Sequence, residues 1–174
     1  MENITADKLK RNLERKFRCP DLASAEQAAQ VLGAIFAGTL TQHDLFFAAP
    51  QARLKLRILA EGPAELISYV RPDQAETRLS VYTRTPVVDA AAMRTTLTHA
   101  LGKPRELKKT RRLYLHRVTR IHLDTVEGLG TFVELETVLT AQSPAEAEQE
   151  LSSIAAALRV GESVAVAYVD LLDG

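Results

Sequence analysis

Apolar and charged residues alternate along much of the chain, and this period of two predicts β-strands. Residues 53–58 alternate leucine or isoleucine with arginine or lysine, so one strand face is apolar and the other is cationic. Residues 12–18 also have a period of two, with Leu13, Arg15 and Phe17 on one face and Asn12, Glu14 and Lys16 on the other. Further strands are predicted at about 40–47, 65–71, 77–83, 107–115, 117–124, 131–139 and 164–171, where β-branched and aromatic residues are frequent. The chain is therefore expected to form eight or nine strands.

Three other segments place apolar residues at helical spacing and carry helix start and stop signals. They run from a capping box at Ser24 and Gln27 to a stop near Gly33, from Asp89 to about Leu101, and from a capping box at Ser143 and Glu146 to Gly161. Short strands with few helices favour an α+β fold built on an antiparallel sheet or barrel. No repeat or linker divides the sequence, so residues 1–174 are expected to form a single domain.

The composition narrows the class of protein. The 174 residues are 46% hydrophobic, which suffices for one sizeable core, but no run of about 18 apolar residues predicts a membrane span. The N-terminal residues lack the apolar stretch of a secretory signal, so a cytoplasmic protein is expected. The single cysteine, Cys19, excludes an internal disulfide and a Cys-x-x-Cys zinc site. Any metal must therefore be held by oxygen or imidazole.

The charges cancel over the whole chain but are unevenly distributed. Residues 103–120 contain eight Lys or Arg and one acid, whereas residues 121–174 contain ten Asp or Glu and one Arg. Like charges about 7 Å apart on one strand face repel each other unless water or an anion compensates them. The cationic faces predicted at 53–57 and 109–111 therefore indicate either a solvated surface or a polyanion site. Nucleic-acid binding is disfavoured, because no stacking aromatics lie between these cations.

Carboxylates cluster near these cations in the predicted sheet. Glu134 and Glu136 share one face of a strand, and Asp124 lies on the preceding strand. Carboxylates at this density favour a hard divalent cation such as Mg²⁺ or Mn²⁺. The alternative is a ladder of cross-strand salt bridges in which Glu14, Glu134 and Glu136 pair with the cations.

Six segments of the sequence resemble the CYTH superfamily, which includes class IV adenylate cyclases and the triphosphate tunnel metalloenzymes. They are Glu14-Arg15-Lys16, RLKLR at 53–57, YVRPD at 69–73, KTRRLYL at 109–115, RIHLDTVEGLGTFVELE at 120–136 and AYVDLL at 167–172. The resemblance covers nearly the whole chain and implies an antiparallel eight-stranded tunnel with charged side chains in its lumen.

The resemblance also implies the site residues. It gives Glu14, Lys16, Glu134 and Glu136 as catalytic, and Glu14, Asp124, Glu134 and Glu136 as ligands of Mg²⁺ or Mn²⁺. It gives Lys16, Arg53, Lys55, Arg57, Arg71, Lys109, Arg111 and Arg120 as the phosphate clamp. One position departs from the family's ExExK signature, because Asn12 stands where the first acid is expected. His122 is expected to contact phosphate or substrate, or to be a structural hydrogen bonder.

The resemblance therefore implies a metal-dependent enzyme acting on a triphosphate such as ATP or tripolyphosphate. Three activities stay open: conversion of ATP to cyclic AMP and pyrophosphate, hydrolysis of inorganic or organic triphosphates, and binding without turnover. Asn12 motivates the third, because an uncharged amide holds a divalent cation less tightly than a carboxylate does. A triphosphate-containing small molecule is the expected partner, with no nucleic acid and no membrane, and a homodimer is left open.

Overall fold

The computed structural model describes residues 9–70, 77–140 and 142–173. In chain order its elements are β1 (Lys10–Arg18), α1 (Leu22–Val31), β2 (Ile35–Phe47), β3 (Arg53–Leu59), β4 (Ala64–Val70), β5 (Arg78–Val87), α2 (Ala90–Leu101), β6 (Arg105–His116), β7 (Thr119–Val126), β8 (Gly130–Val138), α3 (Pro144–Ala157) and a short 3₁₀ helix (Tyr168–Asp173). None of the described helices has the length and apolar character needed to cross a membrane.

The eight strands close into an antiparallel barrel in the order β1-β5-β4-β3-β2-β6-β7-β8. This confirms the predicted α+β fold with an eight-stranded barrel and flanking helices. Strand pairing sets which side chains meet inside. Glu14 lies opposite Glu136 and Lys16 opposite Glu134 where β1 pairs with β8, and His122 lies opposite Glu134 where β7 pairs with β8. Every second side chain of each strand therefore points into the lumen, where neighbouring strands together form charged layers.

The main apolar core lies outside the barrel rather than within it. α1 and α3 cover the outer face of β1, β7 and β8, with Leu151 and Ile154 of α3 packed near Ile121 and Leu135. α2 covers β2 and β3, where Leu45 and Leu56 are fully buried. Because the helices bury the apolar strand faces, the opposite faces are left to line the lumen with polar side chains.

Two of the three predicted helix starts are confirmed. Asp89 caps α2, and Ser143 forms a capping box with Glu146 at the start of α3. The capping box predicted at Ser24 is wrong, because Asp21 is the N-cap of α1 and Ser24 lies inside the helix. The carboxylate of Asp21 accepts hydrogen bonds from the backbone N–H of Ser24 at 3.0 Å and from its hydroxyl at 2.6 Å. An acid three residues upstream thus takes the capping role.

The strand predicted at 164–171 is also wrong. This segment crosses one end of the barrel and ends in the 3₁₀ helix, and its contact with β1 is an isolated bridge between Phe17 and Ser163. Lys16 Nζ donates to the carbonyl of Val166 at 3.2 Å, and Arg78 donates to the carbonyls of Val164 and Ala165. Closure of eight strands leaves no edge for a ninth, so lysine and arginine side chains bind these carbonyls instead.

Candidate functional site

The barrel encloses a cavity of about 320 Å³ whose wall combines cations, carboxylates and apolar side chains. Nine of the predicted site residues line it: Glu14, Lys16, Lys55, Arg57, Lys109, Arg111, Arg120, Glu134 and Glu136. Each lies on a strand whose alternation turns every second side chain toward the lumen. The strand pattern thus brings most of the predicted site residues to one lumen.

One wall of the cavity centres on Asp44 of β2, which the sequence analysis missed. Arg57 donates to both carboxylate oxygens of Asp44 at 2.8 Å, while Lys109 and Lys55 lie 3.4 and 3.7 Å from Oδ2. Burial alone would raise the pKa of this carboxyl, but the charges of the three cations hold it well below its usual range. A useful signal existed in the sequence, since Asp44 is the one acid in the predicted strand at 40–47.

The surroundings of the two lysines in this wall lower the pKa of both. Burial, and then the neighbouring charge of Arg57, lower the pKa of Lys55 from 10.5 to about 7. Burial also lowers the pKa of Lys109, and the attraction of Asp44 offsets this only in part. Three cations around one carboxylate leave an excess of positive charge, which favours an anionic ligand on this side.

The opposite wall centres on Glu134 and Glu136 of β8. Arg111 donates to Glu134 Oε2 at 2.6 Å, and Arg120 donates to Glu136 at 3.4 Å. Burial tends to raise the pKa of both carboxyl groups, but the lowering interactions together outweigh it, led by Arg111 for Glu134 and by His122 for Glu136, so both pKa values lie below their usual range. Both groups are therefore carboxylates at neutral pH, as a metal ligand requires.

His122 lies between these two carboxylates. Its Nδ1 is 3.3 Å from Glu134 Oε2, and its Nε2 is 3.9 Å from Glu136 Oε2. One ligand atom from each of the three residues falls within 4.8 Å of the others, a spread suited to a metal ion. The donor set of two carboxylates and an imidazole fits a divalent cation.

Asp124, predicted as a fourth ligand, is placed differently from the two glutamates. Arg111 donates to both of its oxygens at 2.6 and 2.7 Å, and the hydroxyl of Tyr168 donates to Oδ2 at 2.9 Å. Asp124 is fully buried, and its two hydrogen bonds with Arg111 fix the direction of the guanidinium. These three hydrogen bonds occupy most of the acceptor capacity of the Asp124 carboxylate.

On β1, the predicted residues Glu14 and Lys16 contact the acidic wall and the segment that crosses the barrel end. Glu14 Oε1 lies 3.9 Å from Nε of Arg78, a buried arginine that the sequence analysis did not single out. Lys16 Nζ lies 3.9 Å from Glu134 Oε1 and 3.9 Å from the ring centre of Tyr168. Asn12 lines the same cavity, and its buried Oδ1 has no hydrogen-bond partner among the described residues.

Arg53, a predicted phosphate ligand, is not part of this arrangement. Arg53 continues the cationic face of β3, but its guanidinium donates to Asp170 at 2.7 Å, and the residue is outside the cavity lining among the described residues. Arg105 also contacts Asp170, at 3.3 Å. Arg71 lies outside the described residues.

The rest of the lining is largely apolar. It includes Leu40, Leu59, Ile67, Tyr69, Tyr82 and Leu113. Such a surface favours an uncharged organic group beside the charged walls, because removal of apolar area from water stabilises the bound state.

The CYTH domain model matches residues 10–168 of the chain. The structure of the PH1012 protein from Pyrococcus horikoshii OT3 is similar at 25% identity with a TM-score of 0.80, covering 92% of this chain and 98% of that chain. No curated protein matches the chain.

Two further structures share the fold at lower identity. One is a "putative adenylate cyclase" from Vibrio parahaemolyticus, with 17% identity, a TM-score of 0.75, and coverage of 94% of this chain and 98% of that chain. The other is HpAC1 from Hippeastrum, named as an adenylyl cyclase with a dominant triphosphatase activity, with 14% identity, a TM-score of 0.65, and coverage of 94% and 95%. With the barrel, its charged lumen and the family match over residues 10–168, this chain belongs to the CYTH domain family.

Proposed function

We propose that residues 1–174 act as one metal-dependent enzyme that binds a triphosphate in the barrel and converts ATP to cyclic AMP and pyrophosphate. The observation that carries the proposal is the pairing of two unlike walls in one cavity. Excess cations surround Asp44, while Glu134, Glu136 and His122 face them with the ligands of a divalent ion.

The charge of the lining suits a triphosphate with its metal. The described lining contains seven Lys or Arg and five Asp or Glu, an excess of two positive charges. A divalent cation would raise this excess to about four, which balances a triphosphate with about four negative charges. Neither ligand alone neutralises the cavity as well as the two together.

The position of each residue in the cavity determines its proposed role. Lys55, Arg57 and Lys109 bind phosphoryl oxygens on the cationic wall, and Arg111 reaches the same lumen from β6. Glu134 and Glu136 would hold the metal, which when bound withdraws charge from the phosphoryl oxygens. Lys16, anchored by the carbonyl of Val166, adds a fixed positive charge next to Glu134.

In cyclisation, a bond forms between the ribose 3′ oxygen and the α-phosphorus, and the bond from that phosphorus to the bridging oxygen of pyrophosphate breaks. The hydroxyl proton leaves to solvent or to a carboxylate. The buried cations stabilise the negative charge that develops on the departing pyrophosphate, so catalysis here is mainly positioning and electrostatics.

Hydrolysis is the second candidate, and HpAC1 supports it by its named triphosphatase activity on the same fold. In that reaction water attacks the terminal phosphorus within the same clamp, so both reactions need the same cations. The apolar part of the lining favours an organic triphosphate in either case.

Product analysis separates these functions. The protein is incubated with ATP or tripolyphosphate plus Mg²⁺ or Mn²⁺, with EDTA as the control. Cyclic AMP with pyrophosphate supports the cyclase, and ADP with phosphate supports the hydrolase. Tight binding in calorimetry without product supports a binder, and absence of both binding and turnover would overturn the proposal.

A further inference from the structure

Gln42 of β2 is a buried polar residue of the cavity wall whose side-chain oxygen is left without a partner. Only 3% of the residue is exposed, and Oε1 has no hydrogen-bond partner among the described residues. Buried polar atoms are normally paired, because an unpaired one gives up its hydrogen bond to water without a replacement. Asn12 also has such an oxygen, but it lies two residues before Glu14 on β1. A ligand in the cavity would supply the partner that Gln42 lacks.

The position of Gln42 separates the charged part of the cavity from its apolar part. Asp44, the centre of the cationic wall, is the next lining residue of β2 on one side, and Leu40 is the next on the other. Residues two apart on a strand lie about 7 Å from each other. Lys109 is the partner of Gln42 on β6, and Leu59 is its partner on β3. The wall therefore changes from cationic to apolar at Gln42.

The two ends of the cavity differ, and this difference sets the direction of a bound molecule. At one end Phe46 packs against the apolar cluster that contains Tyr168, a residue of the segment that crosses the barrel. Toward the other end Leu40 and Leu59 are half-buried. An organic group attached to phosphates on the cationic wall therefore has room beside these leucines, and it passes Gln42 on the way.

A nucleoside triphosphate fits this order of surfaces. Its sugar follows the α-phosphate directly and carries hydroxyl groups, and the flat base comes next. With the phosphates on the cationic wall, the sugar lies at Gln42 and the base lies beside Leu40 and Leu59, where apolar area is removed from water. The amide has both a donor and an acceptor, and a hydroxyl can be either, so the two groups can pair in both orientations of the amide.

We propose that Gln42 is a specificity-determining residue that binds a sugar hydroxyl and so makes the protein prefer ribonucleoside triphosphates over deoxy analogues. The inference deepens the proposed function, because it rests on triphosphate binding in this lumen and identifies the substrate class. A neutral hydrogen bond changes affinity by about 3- to 10-fold. We expect ATP to bind more tightly by this factor than 2′-deoxy-ATP or 3′-deoxy-ATP, whichever lacks the hydroxyl that contacts Gln42.

The test measures binding and does not depend on turnover. Calorimetry in EDTA, which prevents a metal-dependent reaction, gives the affinity of the wild-type protein for ATP, 2′-deoxy-ATP, 3′-deoxy-ATP and tripolyphosphate. This comparison needs no variant, so it decides whether a sugar hydroxyl is recognised even if a substitution of Gln42 fails to fold.

A substitution then assigns the recognition to Gln42. Gln42→Met keeps the length of the side chain and removes both polar atoms, so ATP affinity should fall about 3- to 10-fold and match that of the weaker deoxy analogue. Tripolyphosphate affinity should stay unchanged. A thermal melt should show no loss of stability, because the substitution removes a buried oxygen that has no described partner. Gln149→Met, at an exposed position of α3, is the matched control and should bind all four ligands like the wild type.

The outcomes separate the inference from the function. Equal affinity of the wild-type protein for ATP and both deoxy analogues overturns the inference and leaves the proposed enzyme standing. A preference that persists in folded Gln42→Met also overturns it, and so does an equal loss of affinity for ATP and tripolyphosphate. Recognition of the hydroxyl by Gln42 without turnover of ATP in Mg²⁺ or Mn²⁺ supports the inference and overturns the proposed function. Absence of binding by all four ligands, with EDTA or with Mg²⁺, overturns both.

Discussion

Two buried acidic centres face each other inside the barrel, and they differ in the balance of charge around them. Asp44 is one carboxylate contacted by three cations. Glu134 and Glu136 are two carboxylates that are contacted by Arg111, Arg120, Lys16 and the ring of His122. β6 connects the centres, because Lys109 contacts the first and Arg111 the second.

The comparison shows that buried acids in one lumen can contribute to binding of ligands of opposite charge, an anion at one centre and a metal cation at the other. A carboxylate that contacts several cations fixes their positions but neutralises only one charge. The remaining positive charge favours an anion. Glu134 and Glu136 have three cations for two carboxylates, so each is less fully compensated than Asp44 and can hold a metal. The difference follows from the number of charges within about 4 Å, since opposite charges interact strongly at that distance in a low-dielectric interior.

Asp44→Asn should have the largest effect on stability. It removes the charge that compensates three buried cations, so we expect the free energy of unfolding to fall by about 3–5 kcal/mol. Denaturant titration measures this change. Glu106→Gln is the control, because Glu106 is an exposed acid contacted by Arg94 and His43, and it should lose less than about 1 kcal/mol. Equal losses would show that Asp44 is no more than an ordinary salt-bridge partner.

Glu136→Gln should impair the acidic centre while leaving the cationic one intact. Replacing a carboxylate by an amide removes a charged metal ligand, so divalent-metal-dependent turnover should fall about 100-fold or more. Glu127→Gln, an exposed acid in the turn before β8, is the matched control. Full activity of Glu136→Gln at limiting Mn²⁺ would contradict the assignment, and a thermal melt distinguishes lost chemistry from lost folding.

Arg57→Ala should weaken triphosphate binding by about 10- to 100-fold, because a charge-assisted hydrogen bond contributes roughly 1.5–3 kcal/mol. It should also destabilise the free protein, since the bidentate bond to Asp44 is lost. Calorimetry with tripolyphosphate measures the affinity. Arg53→Ala removes another cation of the same strand face and should change affinity much less, because Arg53 binds Asp170. Similar losses in both variants would extend the phosphate site to Arg53.

Lys55 should make triphosphate binding depend on pH. With a pKa of about 7, this lysine loses its charge in the free protein as the pH rises, and a bound triphosphate should restore it by proton uptake. Affinity should therefore fall by up to about tenfold per pH unit between about pH 7.5 and 9. Calorimetry in two buffers of different ionisation enthalpy detects the proton. Lys55→Arg keeps its charge and should flatten the profile, and equal profiles would refute the role of Lys55.

Lys55 should also make the free energy of unfolding depend on pH. Its pKa is about 7 in the folded protein, below the ordinary lysine value of 10.5, so the unfolded chain binds more protons between these values. The contribution of Lys55 therefore makes the free energy of unfolding rise from about pH 7 to 10.5. Comparison of wild type with Lys55→Met over this range isolates that contribution.

Asn12→Glu should have the smallest effect. A carboxylate here adds a negative charge to the lumen near Glu14, so the metal concentration for half-maximal activity should fall by a few-fold. Asn12→Gln preserves the neutral amide and is the control. Identical metal titrations for all three proteins would mean that position 12 does not reach the metal.

The alternation of residue types predicted an antiparallel sheet or barrel, and the resemblance to the CYTH superfamily implied the closed eight-stranded barrel and most of the site residues that line it. Period two fixes which side chains share a face, so Lys55 and Arg57, or Glu134 and Glu136, had to point the same way. It does not fix which strands become neighbours, and Asp44 was missed because its meeting with Arg57 depends on the pairing of β2 with β3. The alternating pattern also does not predict contacts at the ends of the strands. Arg53 contacts Asp170 only because residues 163–173 cross the barrel end.

The crossing of the barrel end also sets an order for folding during synthesis. Lys16 and Val166 bond across 150 residues of sequence. At about 5–20 residues per second, a ribosome needs roughly 8–30 s to make the second partner after the first. β1 lacks a partner along one edge until β8 is made, and Lys16 lacks its carbonyl anchor until Val166 follows. The first strand made is thus among the last to be completed, and a nascent chain of this protein has a long interval in which β1 is open to other partners, including chaperones.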